Sequence, residues 1–302
     1  MANFKIFSGT ANPELSSKIA KELGVELGKV EIIRFADTES RVWVEEKVKD
    51  QTVFLIQPFS PRVDENLVEF LLLADALRRG KPEKMIAVVP YYGYARQDKI
   101  FRDGEALSAQ VIANLIEGAC FKELITIHLH SLNILDFFKI PIKHLSTVSV
   151  FAKAFASLKE EKGQWVAVGP DEVALTQVKN LAKDLGLTTA CLEKRRNYAE
   201  KDRPMTTGLE GDVSGKNVIM FDDLSSTGGT IINGAKFLKE RGAQKIMAAL
   251  THLVVPEVIE KITGQDFIDK LFITDTIPQK KADKLEIVSV APLIAEAIMG
   301  SV

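Results

Sequence analysis

The chain has few cysteines, and neither of them belongs to a recognisable pair. Cys120 and Cys191 are the cysteines of a 302-residue sequence, and their separation matches no metal-binding or redox spacing. A disulfide scaffold and a cysteine-based zinc site are therefore excluded. Both residues lie in apolar surroundings, so we expect buried, reduced thiols.

Net charge and long apolar runs are also lacking. The 39 Lys and Arg residues nearly balance the 41 Asp and Glu residues, which leaves a net charge of -2. Such a balance gives no overall attraction to nucleic acid or to an anionic membrane. No segment approaches the roughly 18 apolar residues that a membrane span needs, and the N-terminus reaches a polar turn by Gly9, too early for a signal peptide. We expect a cytoplasmic protein with no nucleic-acid or membrane partner.

What the chain does have is a regular alternation of short apolar runs and amphipathic helical patterns. Strands are predicted at 5–8, 53–57, 85–90, 124–129, 165–169, 218–221, 246–253 and 271–274. Helices are predicted after Asn12-Pro13 and over 64–79, 108–117, 174–185 and 230–241. This alternation favours parallel sheets with helices on both faces, whose ligand sites lie at the carboxyl ends of the strands.

The length and one repeated pattern indicate two domains. A chain of 302 residues fits two domains of about 150 residues each. The segment 85–118 parallels 218–242, since each has an apolar run, a polar loop and a helix ended by glycine. We predict domains 1–146 and 147–302, with the last helix packing back on the first domain. The alternative, that any α/β chain shows such a pattern, stays open.

The segment after the apolar run 218–221 has the composition of a sugar-phosphate site. Small Ser, Thr and Gly residues at a helix start can bring backbone N–H groups and hydroxyls to a phosphate, while two adjacent carboxylates can accept hydrogen bonds from ribose hydroxyls or help to hold a cation. The alternative is a simple strand end and helix N-cap. The candidate residues are Asp222, Asp223, Ser225, Ser226, Thr227, Gly228, Gly229 and Thr230.

Three other segments carry polar residues suited to a nucleotide. Arg96, Gln97, Asp98 and Lys99 follow a predicted strand, where Arg and Lys suit phosphate oxygens, although Arg96 and Asp98 can also pair with each other. Phe35, Asp37 and Glu39 alternate, so in an extended conformation they share one face and can enclose a purine; an edge strand shows the same alternation. Lys194, Arg195 and Arg196 precede a polar stretch to Gly215 that we expect to be an exposed, mobile loop.

The histidine pair suggests a metal position. On a strand, His128 and His130 would share a face, which also raises the possibility of zinc. Zinc is disfavoured because no third ligand of suitable spacing lies nearby.

Taken together, these segments resemble the phosphoribosyl pyrophosphate synthetase (ribose-phosphate diphosphokinase) family. The resemblance rests on 7–13, 35–39, 90–99, 193–197, 222–230 and 274–278, and it covers essentially the whole chain in order. It implies an α/β fold with two related phosphoribosyltransferase-like domains, each a mainly parallel sheet flanked by helices. It also implies Mg2+-dependent transfer of the β,γ-diphosphoryl group of ATP to the anomeric hydroxyl of ribose 5-phosphate, with release of AMP.

The same resemblance assigns roles to particular residues. Domain 1–146 is the ATP side and domain 147–302 the ribose 5-phosphate side. In the family the 35–39 segment reaches the ATP site of a neighbouring subunit, which implies a homo-oligomer. The implied ATP-binding residues are Phe35, Asp37, Glu39, Arg96, Gln97, Asp98 and Lys99; the catalytic residues are Lys194, Arg196 and His130; and the metal-associated residues are His130 and Asp171, the latter also beside the ribose 5-phosphate.

The chain departs from the family pattern at several positions. Many members have aspartate where this chain has His128, so its part in metal binding is an open question. Val173 stands where the family usually has glycine, and a β-branched residue resists positive φ, so we expect a differently shaped loop or altered activity. The segment 101–106 also differs, so regulation is not carried over.

Two other functions are compatible with parts of the sequence. A catalytically impaired homologue could bind nucleotide and regulate an active synthetase, which the changes at His128 and Val173 favour. A phosphoribosyltransferase would share the 222–230 loop but has no need of Arg96 to Lys99 or of Phe35, Asp37 and Glu39. ATP binding separates the latter from the synthetase.

Overall fold

The computed structural model describes residues 4–160, 163–196 and 204–302, and at 159, 194–196, 204 and 205 it describes the backbone alone. The chain divides into two compact units. The first comprises Met1–Ser146, Thr276–Pro278 and Ser289–Val302, and the second comprises Thr147–Asp275 and Gln279–Val288. The chain therefore returns to the first unit after it has entered the second.

The first elements along the chain are β1 (Phe4–Ser8), α1 (Pro13–Glu22), β2 (Val30–Arg34), β3 (Ser40–Val44), β4 (Thr52–Ile56), α2 (Val63–Arg79), β5 (Lys84–Val89), α3 (Ser108–Gly118), β6 (Glu123–Ile127) and β7 (Ile142–Leu145). The later elements are α4 (Val148–Ala154), β8 (Trp165–Gly169), α5 (Glu172–Leu185), β9 (Thr188–Arg196), β10 (Pro204–Glu210), β11 (Asn217–Ser225), α6 (Gly229–Glu240), β12 (Ile246–Leu253), α7 (Val258–Thr263), β13 (Lys270–Thr274), β14 (Leu285–Val288) and α8 (Ala291–Met299).

The first unit is built on a parallel sheet in the order β1-β4-β5-β6-β7. Successive side chains of a strand point to opposite faces, so Phe7 and Leu55 join one core cluster with residues of α2 and α3. Ile6 and Phe54 join the other, with residues of α1 and α8. An antiparallel hairpin of β2 and β3 forms a separate small sheet.

The end of α8 is held by a network of hydrogen bonds in the first unit. Lys143 Nζ donates to Ala297 O at 3.0 Å and to Ser301 Oγ at 2.5 Å, and Ser301 Oγ donates to Glu123 Oε1 at 2.5 Å. Lys84 Nζ donates to the other Glu123 oxygen at 2.8 Å. Burial raises the pKa of Glu123, but the hydrogen bonds from Lys84 and Ser301 outweigh it and hold that pKa below its ordinary value. This network joins β5, β6 and β7 to the C-terminal helix.

The second unit has a larger sheet in the order β10-β9-β8-β11-β12-β13-β14. Its strands are parallel except for β10, which runs antiparallel to β9. Residues of α6 and α7 cover one face and residues of α4 and α5 the other. None of the helices in the described parts of the chain combines the length and the hydropathy of a bilayer crossing.

The predicted fold class is confirmed, since each unit is a mainly parallel sheet flanked by helices. All eight predicted strands are present, although β6 ends at Ile127, two residues early, and β11 extends to Ser225. The sequence did not predict β2, β3, β7, β9, β10 or β14. Four of these strands, β2, β3, β7 and β14, are short and half-buried, and β9 and β10 are rich in polar residues. All six therefore lack the continuous apolar run that marks the others.

The cysteine prediction is half wrong. Cys191 is buried in β9, and burial raises the pKa of its thiol. Cys120 is exposed and lies in the turn that follows α3, at φ 70°.

Candidate active site

The loop between β11 and α6 is the centre of the candidate site in the second unit. β11 carries both aspartates to the carboxyl edge of the sheet, with Asp222 buried and Asp223 half-buried. Asp222 Oδ1 accepts a hydrogen bond from Asp223 N at 2.9 Å. Backbone bonding therefore orients the first carboxylate at the entrance of the loop.

The turn from Ser225 to Gly229 is closed by its own hydroxyls. Ser225 Oγ accepts from Gly228 N at 3.2 Å, and Thr227 Oγ1 lies 3.4 Å from Gly229 N. Gly228 has φ 72°, and a Cβ at this residue would lie 2.7 Å from Val258 Cγ1 of α7. Only glycine combines this backbone conformation with such a close approach.

The first turn of α6 faces this loop without a side-chain cap. The N-cap residue is Gly228, which has no side chain to accept from the helix N–H groups, and the first turn carries no acidic residue. The N-terminus of a helix has unsatisfied N–H groups and a partial positive charge. Ser226 and Thr230 flank it with hydroxyls. The arrangement would suit a phosphate, and the phosphate role of this segment stays a prediction.

A lysine from α7 adds a positive charge that the sequence analysis did not single out. Lys261 Nζ donates to Thr227 O at 3.2 Å, so its ammonium group lies beside the loop. Nothing in the sequence distinguishes Lys261 from other exposed lysines, because its position depends on how α7 packs against Gly228.

Asp171 lies at the same edge of the same sheet. It follows β8, which pairs in parallel with β11. Asp171 Oδ1 accepts from Ala174 N at 3.2 Å and caps α5. Val173 lies in the first turn of α5, 81% exposed, where no positive φ is required. The β-branched side chain is therefore accommodated, and the expected difference from the family in loop shape or activity stays a prediction.

The predicted catalytic cations fall only partly on described structure. The side chains of Lys194 and Arg196 lie outside the described residues, as does 197–203. The backbone of both residues is in β9, paired with Thr206 and Pro204 of β10. The expectation of a loop from 197 to Gly215 is therefore wrong for its second half, which contains β10 because residues 204–210 extend the sheet.

In the first unit, the segment after β5 forms a tight turn. Tyr94 has φ 63° and its hydroxyl bonds to Asp64 of α2. Gln97 N donates to Tyr94 O at 3.1 Å, and Ser108 Oγ donates to Gln97 Oε1 at 2.7 Å. Arg96 and Lys99 are exposed, while Gln97 and Asp98 are half-buried. Burial raises the pKa of Tyr91, and the nearby Arg96 opposes this.

Phe35, Asp37 and Glu39 lie in a turn and are not extended as expected. Phe35 N donates to Glu39 O at 2.8 Å, and Thr38 N donates to Phe35 O at 3.0 Å. Asp37 Oδ1 accepts from Glu39 N at 3.1 Å. The prediction of an extended segment with one shared face is wrong, because residues 35–39 form the tip of the β2–β3 hairpin. The hydrogen bonds of this turn replace the extended conformation that alternating residue types suggest. All three side chains are exposed at that tip.

The two histidines do not share a face. β6 ends before them, and His128 adopts φ 38°, so it is buried while His130 is exposed. His128 Nε2 lies 3.2 Å from Ser146 Oγ, and His144 Nε2 accepts from Leu129 N at 2.9 Å. Burial lowers the pKa of His144, which favours this acceptor role.

The predicted metal residues belong to different units, His128 and His130 to the first and Asp171 to the second. Within the residues that the structure describes, no three side chains of His, Cys, Asp or Glu gather as a metal-binding group. A preformed cage of protein ligands is therefore not found in the described parts of the chain.

Comparison with known proteins decides the family. A model of the N-terminal domain of ribose phosphate pyrophosphokinase matches residues 4–119, and a model of the phosphoribosyl synthetase-associated domain matches 182–300. Ribose-phosphate pyrophosphokinase of Thermotoga maritima is 42% identical over 98% of this chain and 94% of its own length. That of Thermosipho africanus is 40% identical over 98% of this chain and 93% of its own.

The chain belongs to the ribose-phosphate pyrophosphokinase family.

A solved structure agrees with this assignment over nearly the whole fold. The phosphoribosylpyrophosphate synthetase of Mycobacterium smegmatis superposes with a TM-score of 0.88 at 30% identity, covering 99% of this chain and 98% of that one. The predicted family is therefore confirmed, and the fold of this chain resembles that of the relative over nearly its whole length.

Proposed function

We propose that this chain makes phosphoribosyl pyrophosphate and AMP from ATP and ribose 5-phosphate. The family assignment supports the reaction. The single observation that carries the site assignment is the β11–α6 loop, which connects the strand that bears Asp222 and Asp223 to a helix N-terminus without a side-chain cap. The loop amides and hydroxyls would bind the 5-phosphate, and the carboxylates of Asp222 and Asp223 would accept from ribose hydroxyls.

ATP is assigned to the first unit. Arg96 and Lys99 are exposed cations in the turn after β5 and would bind phosphate oxygens, with Gln97 and Asp98 toward the base. The exposed hairpin tip with Phe35, Asp37 and Glu39 would complete the ATP site of a neighbouring subunit. The active protein is then a homo-oligomer.

The donor set suits Mg2+ carried by the nucleotide. This ion prefers oxygen ligands and usually takes one or two carboxylates together with substrate phosphates and water. Asp171 and Asp222 present carboxylates at one sheet edge, each oriented by a backbone N–H bond, which fits that pattern better than an all-protein cage. When bound, Mg2+ would neutralise charge on the transferring diphosphoryl group. Asp171 is the proposed protein ligand at this sheet edge, and the metal role that the family resemblance implies for His130 stays a prediction for the first unit.

Diphosphoryl transfer leaves the protein a task of positioning and charge stabilisation. The anomeric oxygen of ribose 5-phosphate bonds to the β-phosphorus, the bond from that phosphorus to the α,β-bridging oxygen breaks, and AMP leaves with the electron pair. The hydroxyl proton passes to solvent or to a base such as His130. Lys194 and Arg196 would stabilise negative charge on the leaving oxygen.

Phosphorus NMR of the protein with ATP, Mg2+ and ribose 5-phosphate tests this proposal. We expect AMP and a sugar-linked diphosphate in equal amounts. Lys194→Ala should lower the rate on the order of 10²- to 10³-fold, the cost of losing one charge-stabilising group. Lys179→Ala, an exposed lysine on α5, should leave the rate unchanged. Absence of AMP from a folded, ATP-binding protein would favour the regulatory homologue instead.

A further inference from the structure

The first unit contains a deeply buried carboxylate that the proposed chemistry does not use. Glu69 of α2 is 1% exposed. It accepts from Thr10 N at 2.7 Å, from Thr10 Oγ1 at 2.8 and 2.9 Å, and from Gln57 Nε2 at 2.8 Å. Burial of a charge is costly unless it is paired and hydrogen-bonded. The three donors satisfy much of this requirement and fix Glu69 between the β1–α1 turn and the end of β4.

Arg34 connects this carboxylate to the hairpin tip. Its Nη2 lies 3.5 Å from Glu65 Oε2 and 4.0 Å from Glu69 Oε2, both on α2. Its Nη1 donates to Thr38 O at 3.0 Å. One guanidinium therefore contacts two carboxylates of a core helix and a carbonyl inside the turn that bears Phe35, Asp37 and Glu39.

Hydrogen bonds within the turn set its local shape, and among the described hydrogen bonds it is Arg34 that joins the turn to the rest of the unit. A two-stranded ribbon alone is marginally stable, and the β2–β3 hairpin pairs with no other strand among the described residues. Its apolar side chains Val30, Ile32, Val42 and Val44 pack on the core, but the last strand pair is Arg34 with Ser40. The turn lies beyond that pair, and Thr38 holds a positive φ of 75°.

We infer that Arg34 is a positioning residue for nucleotide binding, which holds the Phe35–Asp37–Glu39 turn in its binding shape by bridging Thr38 to Glu65 and Glu69. The inference rests on the proposed function, since it assumes that this turn binds ATP. A planar fork suits the role better than an ammonium group, because it reaches the carbonyl and the carboxylates from different nitrogens.

The hairpin supplies a matched control. Arg41 is on the opposite face of the same ribbon, since it pairs with Ile33 while Arg34 pairs with Ser40. It makes an exposed ion pair with Glu31 at 3.6 Å and contacts neither the turn nor α2 in any described bond. Arg41→Met thus removes the same charge from the same ribbon without touching the bridge.

The test is calorimetric titration of Mg2+-ATP, without ribose 5-phosphate, into the unmodified protein and into Arg34→Met, Arg34→Lys and Arg41→Met. We expect Arg34→Met to weaken ATP binding on the order of ten-fold, the effect of losing a charged hydrogen bond. Arg34→Lys should recover part of this loss, and Arg41→Met should match the unmodified protein. At saturating ATP, kcat of Arg34→Met should stay within about two-fold, since the bridge acts on binding.

Light scattering on the same samples completes the test. Unchanged ATP affinity in Arg34→Met, an equal loss in Arg41→Met, or a loss that accompanies dissociation of the assembly would overturn the inference. Turnover by the unmodified protein tests the proposed function separately, because the comparison of affinities among variants needs no catalysis.

Discussion

At the scale of single residues, backbone conformation decides what the candidate site can bind. Gly228 has φ 72°. A Cβ added at this residue would lie 2.7 Å from Val258 Cγ1. The N–H of Gly228 donates to Ser225 Oγ, which helps to shape the loop. Because glycine has no side chain, it also leaves the N-terminus of α6 without a side-chain cap. A side chain here would meet α7 and push the loop outward.

Gly228→Ala tests this geometry. We expect the Michaelis constant for ribose 5-phosphate to rise on the order of ten-fold or more, because a non-glycine residue at positive φ costs roughly 1–2 kcal/mol before any clash. The Michaelis constant for ATP should change little. Gly118→Ala is the control, since a Cβ there has no neighbour within 4 Å and Gly118 has no positive φ. If both substitutions raised the Michaelis constant for ribose 5-phosphate equally, the prediction would be contradicted.

The sequence predicted the residue types of this site better than their conformations. Ser, Thr and Gly between an apolar run and a helix predict a phosphate loop, and the structure places these residues in the turn between β11 and α6. The prediction that His128 and His130 share a face was wrong, because β6 ends at Ile127 and His128 adopts φ 38°. Where a strand ends depends on its pairing partner, which no local pattern contains.

At the scale of elements, short strands and turns account for most of the differences. Residues 35–39 read as extended from their alternation, but they close the β2–β3 hairpin. β10 was read as loop although it pairs with β9 from Pro204 to Glu210. Long buried strands can be predicted from their apolar composition alone. An edge strand is harder to predict, because it is defined by the neighbouring strand with which it pairs.

The hydrogen-bonded network around Glu123 makes the attachment of α8 dependent on pH. The folded pKa of Glu123 lies below the ordinary value of 4.5. Its stabilising effect is therefore complete above that pH and is lost as the pH falls through the lowered folded pKa. We expect Glu123→Gln to lower the free energy of unfolding by about 1–3 kcal/mol at pH 7, with the difference shrinking below pH 4.5.

Denaturant unfolding from pH 7 to pH 3 checks this expectation. Glu286→Gln is the control, because Glu286 pairs with Lys270 with side chains 45% and 39% exposed, and partly solvated pairs contribute less than buried ones. A difference between Glu123→Gln and the unmodified protein that stays constant down to pH 3 would show that ionisation of Glu123 is not its source.

At the scale of the whole molecule, the two units share one chain in an interleaved order. Residues 289–302, which contain α8, belong to the first unit, although most of the second unit lies between them and the strands of the first unit in the sequence. Each unit also carries a tryptophan, Trp43 in the first and Trp165 in the second. Trp165 is 2% exposed, so its fluorescence reports on the core of the second unit.

Ile294→Ala in a Trp43→Phe background uses this reporter. Ile294 is fully buried in the core that α8 shares with α1, and we expect its truncation to destabilise the first unit by about 2–5 kcal/mol. Calorimetry should show that the first unit unfolds at a lower temperature. The unfolding temperature that Trp165 fluorescence reports for the second unit should not change. Met299→Ala, at an exposed site on the same helix, is the control. A Trp165 transition that moves equally would mean that both units unfold as one.

The late position of α8 also bears on the order in which the protein acquires its structure during synthesis. Domains generally fold as units as they leave the ribosome, yet one face of the first sheet is covered by residues 291–298. The second unit, complete once residue 288 has emerged, can finish before the first. The unit that is translated first can therefore be the last to close, and until α8 has emerged only the α1 side of this shared core is in place.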